Sequence, residues 1–110
     1  MIFGEGTQTR DFVFLDDVVD ALVAAATATD VNRAVINISS GQEISINDLA
    51  ACVARVSRKQ ISVLHNQGQD GGVSRLVGDV ALAKNLLGWE PCTELEEGLR
   101  LTMERDRRFQ

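Results

Sequence analysis

The 110 residues are 45% apolar and a quarter charged, which fits a single soluble globular domain over residues 1–110 able to bury roughly two thirds of its unfolded surface. A formal charge of −5 excludes binding led by nucleic-acid phosphates, which needs clustered lysine and arginine, and no apolar run approaches the ~18 residues of a membrane span. The start, Met1-Ile2-Phe3-Gly4, has neither the basic nor the apolar region of a secretory signal, so the cytoplasm is the expected compartment.

In chain order, residues 2–3 and 12–15 are apolar and aromatic enough for two short strands. Between them lie the turn Gly4-Glu5-Gly6 and a lone cation, Arg10. Asp16 or Asp17 then predicts the cap of a helix whose Val19, Leu22, Val23 and Ala26 face inward at i, i+3, i+4 and i+7. Asp30-Val31-Asn32 reads as its polar end. The β-branched residues 34–38 predict a further strand, closed by Ser39-Ser40-Gly41. Ser45 and Asp48 resemble a capping box for a second helix that buries Ile46, Leu49, Ala50 and Val53. Its last turn carries Arg58-Lys59, which suit the negative end of the dipole.

Residues 61–64 predict another strand, and the glycine-rich residues 66–72 a mobile loop. Asp79 caps a short helix with Ala83, Leu86 and Leu87 inward, stopped by a left-handed Gly88. After Trp89-Glu90-Pro91, Thr93 and Glu96 form a capping box. The last helix turns Leu95, Leu99 and Met103 inward and closes on Arg105, Arg107 and Arg108. The sum is an α/β, α+β-like domain of about four helices and three or four short strands. So small a sheet needs support from another surface.

The chemistry is marked by absences. The sequence has no G-x-G-x-x-G unit, no P-loop, no tyrosine and a single histidine, His65. A Tyr-Lys acid-base pair is therefore impossible, and a catalytic triad is disfavoured. Cys52 reads as a small core residue, and Cys52, Cys92 and His65 fall short of a four-ligand zinc set. Adjacent carboxylates such as Asp16-Asp17 and Glu96-Glu97 point apart and suit helix starts better than acid-base catalysis. No catalytic and no metal-binding residue is expected.

What remains is anion binding. Arg10, between a glycine turn and a strand, is placed either to grip a phosphate bidentately or to pair with Asp11, Asp16 or Asp17. Arg75, after the glycine loop, either pairs with Asp70 or Asp79 or closes over the same ligand. Two arginines on different loops suit a diphosphate.

Seven segments in order carry a family resemblance: Gly4-x-Gly6-Thr7-Gln8-Thr9-Arg10-Asp11-Phe12-Val13, Asp16-Asp17-Val18-Val19-Asp20-Ala21, Asn37-Ile38-Ser39-Ser40-Gly41, Ser45-Ile46-x-x-Leu49-Ala50, Gly71-Gly72-Val73-Ser74-Arg75-Leu76-Val77-x-Asp79, Leu86-Leu87-Gly88-Trp89-x-Pro91 and Leu95-x-Glu97-Gly98-Leu99. They resemble the C-terminal, substrate-binding part of extended short-chain dehydrogenases/reductases acting on nucleotide sugars, the UDP-glucose 4-epimerase and dTDP-glucose 4,6-dehydratase group.

The resemblance implies that a Rossmann domain with NAD(P) and a Tyr-x-x-x-Lys pair does the chemistry, and that no cofactor is bound by these 110 residues themselves. It implies that Arg10 contacts the phosphates of a nucleotide diphosphate-sugar, that Asp79 opens a helix, and that Trp89 and Pro91 turn the chain into the last one. Many members place an Arg-x-x-Asp/Glu pair on the diphosphate and ribose. Spacing back from Asp79 puts Gln69 and Gly72 there, with Arg75 as the replacement cation. Three readings stay open: a substrate domain working beside a cofactor domain, a small oligomeric interaction or structural module, and a complete small enzyme. An apolar face left bare by a missing Rossmann-domain partner predicts a homodimer or larger assembly.

Overall fold

The computed structural model describes residues 1–29 and 31–109. Four helices carry it: α1 (Leu15–Thr27), α2 (Ile46–Ser57), α3 (Ala81–Leu87) and α4 (Leu95–Arg105), with a 3₁₀ turn at Arg107–Phe109. Four two-residue strands make two separate pairs. β1 (Ile2–Phe3) runs parallel to β4 (His65–Asn66), with Ile2 opposite His65. β2 (Thr9–Arg10) runs antiparallel to β3 (Ile44–Ser45), with Thr9 opposite Ser45. The expected α/β class of about four helices with few short strands holds.

Where strands fall differs from the sequence reading. Residues 12–15 form no strand: the ladder ends at Arg10, and the next side chain, Asp11, takes the amides of Ser40, Gly41 and Gly78 in place of backbone carbonyls. Residues 61–64 are likewise no strand, because the pairing with β1 is made one step later, at His65–Asn66. Residues 34–38 pair with no other strand among the described residues; their one backbone bond is from the Ala34 amide to the Val31 carbonyl. Asp30, read as part of a polar helix end, lies outside the described residues.

Local signals fared better. Ser45 Oγ accepts the Asp48 amide at 3.1 Å and caps α2. Gly88, at φ 64°, closes α3. Arg58, expected with Lys59 in the last turn of α2, is instead its left-handed C-cap at φ 56°, and the basic residue of that turn is Arg55. Asp79, expected as the cap of α3, lies one residue before it: the N-cap is Val80, although Asp79 Oδ1 accepts the Ala81 amide. Two further caps fail. The N-cap of α1 is Phe14, leaving Asp16 and Asp17 in the first turn. That of α4 is Glu94, and Glu96 pairs across to Arg55 at 3.1 Å, tying α4 to α2.

Packing explains the Asp17 exception. Ala21 of α1, Ala83 of α3 and Trp89 form a small core over which Val13, Ile36, Ile38, Val80 and Leu87 pack. Two alanines facing each other let α1 and α3 approach closely. The buried face of α1 is therefore Asp17 and Ala21, while Leu15, Val19, Leu22, Val23 and Ala26, four of them expected inside, are exposed. α2 packs mainly on α4.

The result is thin, 49 × 32 × 18 Å, with a Cα radius of gyration of 16.4 Å against roughly 13 Å for a compact chain of this length. Its accessible surface is 7993 Å², about 2,000 Å² above the roughly 6,000 Å² typical of a compact monomer of this mass. Burial inside this domain leaves much apolar surface uncovered.

Candidate functional site

The glycine turn before Arg10 is fixed from α2. Asn47 Nδ2 donates to the Glu5 carbonyl at 2.9 Å, and a Cβ at Gly6 would come within 2.1 Å of Asn47 Oδ1. Only glycine fits there. With its amide group committed as donor, Asn47 uses Oδ1 to accept from His65 Nε2 at 2.9 Å, so His65 holds the turn against β4.

Arg10 does not form the ion pair that Asp11, Asp16 or Asp17 offered. Its half-buried guanidinium donates from Nη1 to the carbonyls of Thr9 (2.6 Å) and Val73 (2.7 Å), and from Nη2 to that of Gly71 (2.9 Å). The positive charge thus clamps the glycine loop to β2 through carbonyls. A guanidinium has five N–H donors; Nε–H and one Nη2–H have no partner among the described residues. The loop supplies its own bends: Asn66 Oδ1 accepts from the Gly68 amide and Asp70 Oδ1 from the Gly72 amide, with Gly72 at φ 85°. Gln69 sits exposed between those two turns, its amide on the Asn66 carbonyl at 3.3 Å.

Arg75 is placed otherwise. It forms a two-point pair with Glu43, at 3.0 Å from Nε and 2.8 Å from Nη2, rather than pairing with Asp70 or Asp79. Thr9 Oγ1 donates to the same carboxylate at 2.9 Å. Arg75 beside it holds the Glu43 carboxyl below its ordinary range. Side chains alternate along a strand, so Thr9 and Arg10 leave β2 on opposite faces. The two arginines are not brought together; Arg10 and Gln69 share the loop side, and Arg75 lies on the other.

Sequence reading missed two carboxylates that organise this region. Burial tends to raise the Asp11 carboxyl, but bonds from the Ser40 hydroxyl and from the Gly78, Ser40 and Gly41 amides outweigh it and hold it below the ordinary range. Asp17 is buried. The same opposition, with burial outweighed by bonds from Cys92 and Thr93, lowers it too. It accepts from Cys92 Sγ (3.0 Å), the Thr93 amide (3.0 Å) and hydroxyl (3.3 Å) and the Cys92 amide (3.2 Å), while Trp89 Nε1 donates to its carbonyl at 2.8 Å. The hydroxyl read as a helix cap is thus spent on Asp17. The same contact pushes the Cys92 thiol up, away from nucleophilic use.

Two of the clefts that border α4 bear on the site. One of about 460 Å³ is lined by Ser40, Gln42, Glu43, Cys92 and Thr93 among others; the other, about 270 Å³ and mostly apolar, lies among Phe12, Phe14, Leu49, Val53 and Leu99. Neither includes Arg10, Gln69 or Arg75. The half-buried guanidinium of Arg10 thus lies outside both clefts, on a loop side that they do not enclose.

A short α/β domain with an arginine-clamped glycine loop is of the class expected from part of a nucleotide-sugar epimerase or dehydratase. Residues 1–102 match the family model described as GDP-mannose 4,6 dehydratase, and the chain belongs to that family. It is similar to the GDP-mannose 3,5-epimerase of Arabidopsis thaliana, 38% identical over 92% of this chain and 26% of that protein, and to the putative UDP-glucose 4-epimerase of Methanocaldococcus jannaschii, 33% identical over 91% and 32%.

Among solved structures it superposes on the UDP-glucose 4-epimerase of Thermotoga maritima, determined with UDP-glucose, at a TM-score of 0.87 and 36% identity, covering 97% of this chain and 34% of that one. The UDP-glucuronic acid 4-epimerase of Bacillus cereus, in complex with NAD, gives 0.79 and 32%, covering 90% and 31%. The chain spans about a third or less of these relatives, and the resemblance to extended short-chain dehydrogenases/reductases is borne out.

Proposed function

We propose that this chain is the part of a nucleotide-sugar epimerase or dehydratase that holds the substrate's diphosphate, and that it is not catalytic alone. The observation that carries the reading is the state of Arg10. Its charge is positioned by three carbonyls, no carboxylate of the described residues pairs with it, and two N–H donors remain for an anion. Gln69 lies on the same loop, suited to hydrogen bonds with a phosphate or ribose. Relatives bound to UDP-glucose and to NAD support a nucleoside diphosphate-sugar as ligand, with NAD held by the remainder of such an enzyme. The two free cysteines fit a reducing, cytoplasmic setting.

Arg75 is a reserve cation in this reading. A ligand must compete with Glu43 for it, and the pair is exposed and weak. Glu43→Gln is expected to tighten UDP binding a few-fold at low salt, an effect that fades as salt rises; unchanged affinity removes Arg75 from the site.

The main test maps amide shifts while the chain is titrated with UDP, UDP-glucose, dTDP and uridine. Saturable shifts in residues 69–75 with the diphosphates and not with uridine support the proposal. A well-folded chain without shifts at millimolar UDP favours the second reading, an oligomeric interaction module, for which the large uncovered surface argues.

A further inference from the structure

The glycine loop that carries Arg10's carbonyl partners rests on a second glycine segment, residues 4–8. The first turn of α2 gives its free amides to that segment: Ile46 donates to the Gln8 carbonyl at 3.1 Å and Asn47 to the Gly6 carbonyl at 2.9 Å. The half-buried Asn47 side chain adds its bond to the Glu5 carbonyl and receives one from the exposed His65. The segment is thereby gripped from α2 and from β4 together.

The same segment supports the loop. The Gly4 amide donates to the Asn66 carbonyl at 2.9 Å. A Cβ at Gly4 would lie 3.5 Å from the Gly71 nitrogen and 3.7 Å from the Gln69 carbonyl oxygen, so the two backbones touch. The Gln8 amide group, bonded to the Phe3 carbonyl at 3.2 Å, fills the space that a Cβ of Gly71 would need. Gly71 and Val73 then supply two of the three carbonyls that hold the Arg10 guanidinium. A continuous path of contacts runs from His65 and Asn47, through residues 4–8, to Gly71 and Arg10. With three glycines among residues 66–72, the loop has little stiffness of its own and takes its shape from what it rests on.

We propose that Asn47 and His65 are positioning residues for Arg10: acting through the two glycine segments, they set where its guanidinium lies and so the affinity of the anion site. The inference rests on the proposed function for the identity of the anion. The family motifs do not supply it, because Ser45-Ile46-x-x-Leu49-Ala50 leaves residue 47 open and none of the seven segments reaches residue 65.

The test uses the full chain with Asn47→Ala, His65→Ala and His65→Gln, read by backbone amide shifts without ligand and by titration with UDP. Alanine is a strong helix former, so Asn47→Ala keeps α2. A purely structural loss raises the apparent Kd only by the fraction of molecules unfolded. Asn47→Ala is expected to shift the amides of residues 71–73 as well as those of residues 5–8, and to weaken UDP binding about fivefold in a folded chain. His65→Ala should weaken it about twofold. His65→Gln, which returns an N–H donor near the place of Nε2, should weaken it less. Shifts confined to residues 5–8, 46–48 and 65, or an unchanged Kd in folded Asn47→Ala, overturn the proposal; equal losses in the two His65 variants remove His65 from it. Should the wild type bind no UDP at millimolar concentration, the proposed function falls and the ligand-free amides decide. Shifts that reach residues 71–73 then retain Asn47 as the residue that places Arg10, and their absence removes it.

Discussion

At the scale of single residues, the carboxylates matter more than the arginines for folding. Asp17 is buried and accepts four hydrogen bonds that join α1 to the turn after Trp89. Asp17→Ala strands those donors and is expected to cost roughly 2–4 kcal/mol in urea unfolding. Its lowered carboxyl, like that of Asp11, fixes the sign of the pH dependence. The unfolded chain binds these protons more readily, so their stabilisation is full above the unfolded value of about 4 and is lost as pH falls through the lower folded one. The Asp17→Asn variant should lose less stability than the wild type between about pH 4 and pH 2; parallel acid curves for the two would contradict the assignment. None of this was legible locally. Ser45 could be read as a cap because its partner is three residues away, but Thr93 gives its hydroxyl to a residue 76 positions earlier. Arg10 was found by its glycine turn, while two of its three carbonyl partners, on a loop more than sixty residues on, left no trace in the sequence.

At the scale of elements, α1 shows why periodicity identified a helix and chose the wrong face. Apolar residues cover so much of Leu15–Thr27 that a core stripe can be drawn on either side. The side chosen by packing is the one whose small residue, Ala21, meets Ala83. Ala83→Leu should overpack that contact and destabilise the chain by about 1–3 kcal/mol, whereas Leu22→Ser should change it by no more than about 0.5 kcal/mol. Chemical denaturation of both variants checks the pair, and a larger effect at Leu22 would mean that its stripe is already covered. The strands were located less well than the helices. A two-residue pairing is fixed by its partner's register, and residues 34–38, with a good strand sequence, have no strand partner among the described residues.

At the scale of the whole molecule, the small core, the 18 Å thickness and the surplus surface describe one account. This fold closes only part of its apolar surface, and its candidate site lies outside both clefts. Both follow if the clamp at Arg10 works against a surface supplied from elsewhere, as the coverage of a third of each relative allows. The family was legible because its motifs are short and local, whereas the bare face of α1 became visible only once the helices were packed. The most direct test of the account is the heat of UDP-glucose binding to the chain and to its Arg10→Ala variant. Saturable binding, weakened at least about tenfold in a variant that stays folded, is the predicted result; equal affinity for the two proteins, or none for either at millimolar UDP-glucose, would contradict it.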